Sequence, residues 1–465
     1  MSRDYDLVVV GLGSGGIVAA EFAARLGLKV AAIERDRVGG DCLWTGCVPS
    51  KAVIASARTA QAMRSAARVG LKPVEPEIDL SSVWLRMRSV QDRIAATDDN
   101  PDRFRAMGVE VLEGEARLTD PHRVEVAGRA LDTRFTLLCT GSRPAVPPID
   151  GLTEVGYLTN ETLFALESPP QSLAILGGGP VGVEMAQACC RLGIEVTLLE
   201  LADSLLSRDE PRLVEILGRR LVAERVDPRT AVRVVDASTA GPRKLLRLAD
   251  DRGEVAADDI LVAVGRRPNV QGLGLEELGV EMATNGVVVD PRLRTSVGSV
   301  YAAGDVAGRF LFTHSAGHEA AQAVRNMFFP GRGRAIDLVP WCTFTEPELA
   351  HVGMTAAEAR ERHGPKRVRV HELPLERSDR ARSDAENEGA LILATARDRL
   401  VGAHALAPAA AELIHELALA VSVKMRLRDL SRLVHVYPTL STTIVMLAAE
   451  AAYERARRYS WLIRR

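Results

Sequence analysis

Leu7-Val8-Val9-Val10-Gly11-Leu12-Gly13-Ser14-Gly15-Gly16 is the stretch that decides the fold. Four apolar residues, mostly β-branched, predict a buried strand, and the alanine-rich run from Ile17 to Leu26 predicts a helix. Lys29-Val30-Ala31-Ala32-Ile33 is a second strand. Glu34 ends it, about 20 residues beyond the first glycine, where a ribose-binding carboxylate is expected. Strand, Gly-x-Gly-x-x-Gly, helix, strand and acid in that order predict a dinucleotide site. Gly11 permits the tight turn, Gly13 lets a pyrophosphate approach, and Gly16 lets helix and strand pack, with Gly15 in the same loop.

The pattern recurs. Ser172 to Leu176 is again an apolar strand, followed by Gly177-Gly178-Gly179-Pro180-Val181-Gly182, a helix from Val183 to Leu192 and a strand from Glu195 to Leu199 that ends at Glu200. Two sites of one construction predict two dinucleotides exchanging electrons. A carboxylate at Glu200 hydrogen-bonds a free ribose 2′-hydroxyl and repels a 2′-phosphate. Leu201, Ala202 and Asp203 bring no arginine cluster beside it, and Arg208 lies further on, so NADH is expected over NADPH.

Between the two glycine turns stands Gly39-Gly40-Asp41-Cys42-Leu43-Trp44-Thr45-Gly46-Cys47-Val48-Pro49-Ser50-Lys51. The Cys-x4-Cys spacing places both thiols within about one helical turn, close enough for an easily reduced disulfide. Lys51 follows Cys47 by four places, so on a helix it shares that face and favours the reactive thiolate. The other cysteines are Cys139, a strand core residue, Cys189 and Cys190 on a helix, and Cys342. Six cysteines in 465 residues are too few for a secreted disulfide scaffold and suit a reducing cytoplasm. The net charge of −2 points away from nucleic acid. The polar N-terminus lacks a signal-peptide layout, and no apolar run is long enough to span a membrane.

Pro144, Pro147 and Pro148 make a rigid exit after the strand Phe135 to Cys139 and mark a domain boundary. Further on, Ile260 to Val264 is a buried strand before a glycine turn. Tyr301-Ala302-Ala303-Gly304-Asp305 ends a strand in a carboxylate, with a helix expected from His318 to Met327. The last part alternates short strands with the apolar helix Ala411 to Val423, whose outer side suits a second subunit.

Taken together, these residues resemble the flavoprotein pyridine nucleotide–disulfide oxidoreductases, essentially end to end. The shared pieces are Gly11 to Gly16, Gly40-Asp41-Cys42 through Lys51, Thr140-Gly141-Ser142-Arg143-Pro144, Gly177 to Glu184, Gly265-Arg266-Arg267-Pro268-Asn269, Ala302 to Asp305 and Phe344-Thr345-Glu346-Pro347-Glu348. The resemblance implies an α/β fold with two Rossmann-like dinucleotide-binding domains plus an α+β C-terminal dimerisation domain. Its expected parts are an FAD-binding domain in two pieces (1–150 and 265–335), an NAD(P)H-binding domain (151–264) and an interface domain (336–465). FAD would lie on the first glycine turn with Glu34, Gly40, Asp41, Lys51 and Gly114. It would also touch Thr140, Gly141, Ser142, Asp305 and Ala316. NAD(P)H would lie on Gly177, Gly179, Val181 and Gly182, with Glu200 and Gly265. Lys51 would pair with Glu184 near the flavin N5, Cys47 would be the thiolate nearer the flavin, and Cys42 would face the substrate. The family forms homodimers with shared active sites.

One departure bears on the reaction. Such reductases usually carry His-Pro-Thr near the C-terminus and a glutamate shortly after, and that pair shuttles the proton of the outer cysteine from the partner subunit. Here the sequence is His435-Val436-Tyr437-Pro438-Thr439-Leu440-Ser441-Thr442, with Tyr437 and Thr442 in those two positions. A phenol, with an ordinary pKa of about 10, is a poor base near neutrality, and general acid–base help is worth about 10²–10⁴-fold. His435 is the alternative base, or a packing residue. Tyr437, Phe312-Thr313-His314 and Asp379-Arg380-Ala381 resemble mercuric reductase-like members, yet the C-terminal cysteine pair of true mercuric reductases is missing. The expectation is an enzyme passing electrons from NAD(P)H through FAD and Cys42–Cys47 to a metal ion, a quinone or a reactive electrophile, with no resident metal. Dihydrolipoyl dehydrogenase and a slow redox-sensing flavoprotein are the alternatives. The tail from Tyr453 to Arg465 mixes arginines with aromatic and aliphatic residues, and membrane contact there is a minor expectation beside a solvated helix end.

Overall fold

The protein is described by a computed structural model covering residues 3–331 and 333–457. Its first sheet is built around the strand Tyr5–Val10, flanked in parallel by Val30–Glu34 and Arg129–Leu138, with Glu110–Glu113 beyond. Val8 lies opposite both Ala31 and Thr136. The strand Arg129–Leu138 serves two partners. Its first half pairs antiparallel with Arg123–Val126, and its second half pairs parallel with Val300–Ala302. Both faces of the Leu7–Val10 run are covered, which is why it reads as continuous rather than alternating hydrophobicity.

The second sheet repeats the plan. Asp227–Arg229, Glu195–Leu199, Ser172–Leu176 and Asp259–Val262 are parallel in that order, and Val234–Ala240, Arg243–Leu248 and Glu254–Ala257 form an antiparallel meander beside them. The chain leaves the first unit and returns to it side by side, because Ser142–Pro144 pairs antiparallel with Arg266–Pro268. The third sheet is antiparallel throughout, in the order Trp341–Thr343, Glu348–Gly353, Arg399–Ala407, Ala390–Ala396, Val368–Pro374. The helix Ala410–Ser422 covers it with Leu413, Ile414, Leu417 and Val421, leaving Leu419 and Val423 exposed on the outer side.

Two local differences from the sequence reading have simple causes. The helix expected from His318 begins at Thr313, because its first turn is polar and outside the apolar periodicity. Cys42 and Cys47 lie on two helices, Gly40–Trp44 and Cys47–Arg64, rather than one turn of a single helix. The break is at Thr45-Gly46, where the chain turns so tightly that a side chain at Gly46 would come within 2.9 Å of the Asp41 carbonyl oxygen. No helix of the described residues is long and apolar enough to cross a membrane. The C-terminal residues Tyr459, Trp461, Leu462 and Ile463, on which the membrane expectation rests, lie outside the described residues.

Candidate active site

The two glycine turns are built alike to the level of single contacts. Gly11 and Gly177 take left-handed backbone, with φ of 94° and 108°. A Cβ at either would meet a carbonyl oxygen at 2.5 Å, that of Cys139 or Ala263 respectively. Gly16 and Gly182 lie so close to the turn that a Cβ would come within 1.8 Å and 1.9 Å of the Gly11 and Gly177 oxygens. Around Gly179 the space is open. The helices Ser14–Arg25 and Pro180–Arg191 both begin without a side-chain cap, leaving their first N–H groups for an anion. Glu34 Oε2 accepts from Leu12 N at 2.7 Å, and Glu200 Oε2 accepts from Gly178 N. Each carboxylate thus closes its own glycine turn at the end of its strand.

Around the first turn the expected residues converge. Gly40 packs on Gly13, where a Cβ on Gly40 would meet the Gly13 Cα at 2.8 Å, and Ala316 closes on Gly15 and Gly304. Arg266 Nη2 lies 2.9 Å from Asp41 Oδ2, its Nε donates to Ser142 Oγ at 2.6 Å, and Ser142 donates to Asp305 Oδ2 at 2.5 Å. Burial holds the Asp305 carboxyl above its usual range. Thr140 and Asn269 exchange hydrogen bonds, Thr140 Oγ1 to the Asn269 carbonyl at 2.7 Å and Asn269 Nδ2 to the Thr140 carbonyl at 2.9 Å, which ties the Gly141 loop to the Gly265 strand. Gly114 N donates to the Glu34 carbonyl at 2.9 Å. Val181 stands exposed in the first turn of its helix.

The thiols and their charges form the centre. Cys42 and Cys47 are both free thiols. Lys51, one turn after Cys47, places Nζ 2.8 Å from Glu184 Oε2 and 4.3 Å from the centre of the Phe344 ring. Glu184 Oε1 accepts from Phe344 N at 2.9 Å. Cys47 Sγ is 3.4 Å from Thr313 Oγ1. Hydrogen bonding from Cys42 draws the Cys47 thiol down to about 6 against the opposing effect of burial, with Thr313 and the Lys51 charge acting in the same downward direction. The same shared hydrogen bond, with burial, pushes Cys42 up. The shared hydrogen bond thus favours the proton on Cys42 and the thiolate on Cys47.

The C-terminal residues are elsewhere in the same chain. Tyr437 is 69% exposed, and its hydroxyl donates to Asp379 Oδ2 at 2.9 Å. His435 is paired with a carboxylate. Its side chain is only 10% exposed, Nε2 lies 3.0 and 3.1 Å from the two Glu416 oxygens, and Nδ1 is shielded without a partner among the described residues. Cys139 and Cys189 are buried in cores.

The chain is matched by known proteins over nearly its whole length. Residues 5–322 match the model of the pyridine nucleotide-disulphide oxidoreductases, and residues 339–448 match the dimerisation domain of the same enzymes. The chain belongs to this family. Its members use FAD and NAD(P)H. The chain is 37% identical to a dihydrolipoyl dehydrogenase of Thermus scotoductus over 98% of both chains. It is 31% identical to a mercuric reductase of Staphylococcus aureus over 96% of this chain and 82% of that one. Among solved structures it resembles a Cu(II) complex of the HOCl-induced flavoprotein disulfide reductase RclA from Escherichia coli, with a TM-score of 0.86 and 26% identity over 95% of this chain and 99% of that one.

The uncapped helix starts, the open space at Gly179 and the two strand-end carboxylates fit the two nucleotides. Three contacts went unseen in the sequence: Thr313 on Cys47, Arg266 between Asp41 and Asp305, and Asp379 on Tyr437. All three residues stand in quoted motifs, but nothing local says what they touch so far along the chain.

Proposed function

We propose that the protein is an NAD(P)H-dependent oxidoreductase that reduces a thiol-binding metal ion such as Cu(II) through the Cys42–Cys47 pair. Bound FAD would supply the hydride-to-electron-pair relay between nicotinamide and disulfide. This chain's own residues do the rest. The first glycine turn, Glu34 and the Asp41–Arg266–Asp305–Ser142 network hold the flavin nucleotide, and the second turn with Glu200 holds NADH in preference to NADPH. Lys51, fixed by Glu184, keeps Cys47 as thiolate, and Cys42 retains the proton and meets the acceptor. When the dithiol returns to the disulfide, two electrons reduce two Cu(II) to Cu(I), and the thiol proton passes to water. We assign residues 1–150 and 265–335 to the FAD unit, 151–264 to the NAD(P)H unit and 336–465 to a homodimer interface that completes each site with the partner's C-terminal segment.

The observation that carries this reading is Tyr437 hydrogen-bonded to Asp379, with His435 turned onto Glu416. The C-terminal segment offers a phenol where dithiol–disulfide exchange uses an imidazole, and a metal ion needs no proton from it. The Cu(II) complex of the RclA reductase supports a metal acceptor by analogy. The test is anaerobic reduction of the FAD-loaded protein by NADH, then mixing with Cu(II), Hg(II), a quinone or lipoamide. Fast reoxidation by the metal ions and slow reoxidation by lipoamide are expected. Cys42→Ser should lose the metal ions and keep the quinone; a variant that loses neither sinks the thiol route.

A second reading, dihydrolipoyl dehydrogenase, is favoured by the 37% identity to the Thermus enzyme. Lipoamide turnover as fast as Cu(II) turnover would establish it.

A further inference from the structure

The Lys51–Glu184 pair is held in place from outside the site by one loop. Helix Pro180–Arg191 presents Glu184, Gln187 and Arg191 on one face, at i, i+3 and i+7. That face meets Phe344-Thr345-Glu346-Pro347, which joins the strands Trp341–Thr343 and Glu348–Gly353. The Gln187 side chain binds the main chain of Glu346 at both of its groups. Nε2 donates to the Glu346 carbonyl at 2.9 Å, and Oε1 accepts from Glu346 N at 2.8 Å. It does what a neighbouring strand would do for a residue that has none. Two residues earlier, Phe344 N donates to Glu184 Oε1 at 2.9 Å, which leaves Oε2 for Lys51 at 2.8 Å.

We infer that Gln187 is a positioning residue for the reactive thiolate: by fixing Glu346 it aims the Phe344 N–H at Glu184, and so sets how much of the Lys51 charge is left for Cys47. The inference rests on the site assignment proposed above. The Phe344 N–H leaves the paired strand residue Thr343 on one side and enters the loop on the other, where two soft dihedrals per residue are left until Gln187 fixes Glu346. Glu184 is 7% exposed. Deprived of the Phe344 donor, a buried carboxylate has one partner fewer and takes a larger share of the lysine. Lys51 then neutralises Glu184 more fully and stabilises the Cys47 thiolate less. The side chain of Glu346 has a different role. It lies on Arg191 and, at 3.5 Å, on Arg58, while Arg191 Nη2 also reaches the Glu346 carbonyl at 3.4 Å, a longer bond than the one from Gln187.

The test reads the thiolate, not turnover. In FAD-loaded Cys42→Ser protein, the long-wavelength absorbance that a thiolate gives against oxidised flavin is titrated with pH. Adding Gln187→Leu is expected to raise the midpoint by about one pH unit, a tenfold loss of thiolate on the acid side. Gln187→Met, which keeps the length and loses both bonds without adding charge, is expected to raise it as far and guards against misfolding of the leucine variant. Glu346→Gln, which leaves the main-chain bonds intact, is expected to titrate like the parent. If both Gln187 variants titrate like the parent, or Glu346→Gln shifts as far as Gln187→Leu, the inference is overturned. If the parent shows no thiolate absorbance at any pH, the site assignment itself fails instead.

Discussion

The hydroxyl of Tyr437 donates to Asp379 Oδ2 at 2.9 Å, and the carboxylate holds the phenol above its ordinary range. The tyrosine is thereby kept protonated, with its one hydrogen already given away. It can offer lone pairs to a thiol or a soft cation but cannot serve as a base. Restoring the usual pair with Tyr437→His and Thr442→Glu is expected to raise turnover of a disulfide substrate by about 10²-fold or more, the scale of general acid–base help. Turnover with Cu(II) should change by less than about threefold if that acceptor needs no proton transfer. Steady-state rates with lipoamide and Cu(II) on the same preparation decide it.

Cys47 is drawn down to about 6 and Cys42 is pushed up, so the pair loses one proton, not two, across the physiological range. In the NADH-reduced protein, the thiolate should therefore appear as pH rises through about 6 and persist above it. Removing the positive charge with Lys51→Met is expected to move that midpoint upward by about one unit. Thr313→Val should move it in the same direction by at least as much, because the Thr313 hydrogen bond lowers the thiol more than the Lys51 charge does. Absorbance of the thiolate against the flavin, followed from pH 5 to 9, checks both.

The two glycine turns can be broken separately. A methyl at Gly16 or Gly182 would lie under 2 Å from the carbonyl oxygen of Gly11 or Gly177. The backbone must move to admit it, at a local cost of about 1–3 kcal/mol. Gly16→Ala is expected to purify largely without FAD. Gly182→Ala should purify yellow, with flavin bound, yet be reduced by NADH at least tenfold more slowly. Flavin content by absorbance and stopped-flow reduction of the two proteins separate these outcomes.

What was legible in the sequence was whatever is decided within about 30 residues. Strand, glycine turn, helix and acid are consecutive, and Gly16 and Gly182 are each required by the backbone of the first glycine of their own turn, so both halves could be read directly. The Lys51–Glu184 pair came from resemblance, not from spacing, since 133 positions separate the two. The contacts that adjust the site are longer still. Thr313 reaches Cys47 across 266 positions and Ser142 reaches Asp305 across 163. They exist because the strand Arg129–Leu138 pairs with Val300–Ala302 and brings the two ends of the flavin unit together. His435 shows the converse. Its spacing from Tyr437 gives no hint of Glu416, from which its Nε2 lies 3.0 Å.

Glu200 offers the last separation, that of NADH from NADPH. Its Oε2 accepts from Gly178 N and its Oε1 from Ala202 N at 2.7 Å, so the carboxylate is fixed at the strand end and cannot swing away from an incoming 2′-phosphate. Two charges of like sign at that spacing repel, and the ribose hydroxyl of NADH loses its acceptor if the carboxylate goes. Glu200→Ala is expected to lower kcat/KM for NADH by about tenfold and to raise that for NADPH, so that their ratio falls by more than tenfold. Glu200→Gln keeps an acceptor and removes the charge, and it should relieve NADPH while sparing most of the NADH activity. A wild-type protein that already prefers NADPH would place the determinant elsewhere, with Arg208 the first residue to replace. Its guanidinium lies 5.1 Å above the Trp341 ring, beyond the end of the same strand.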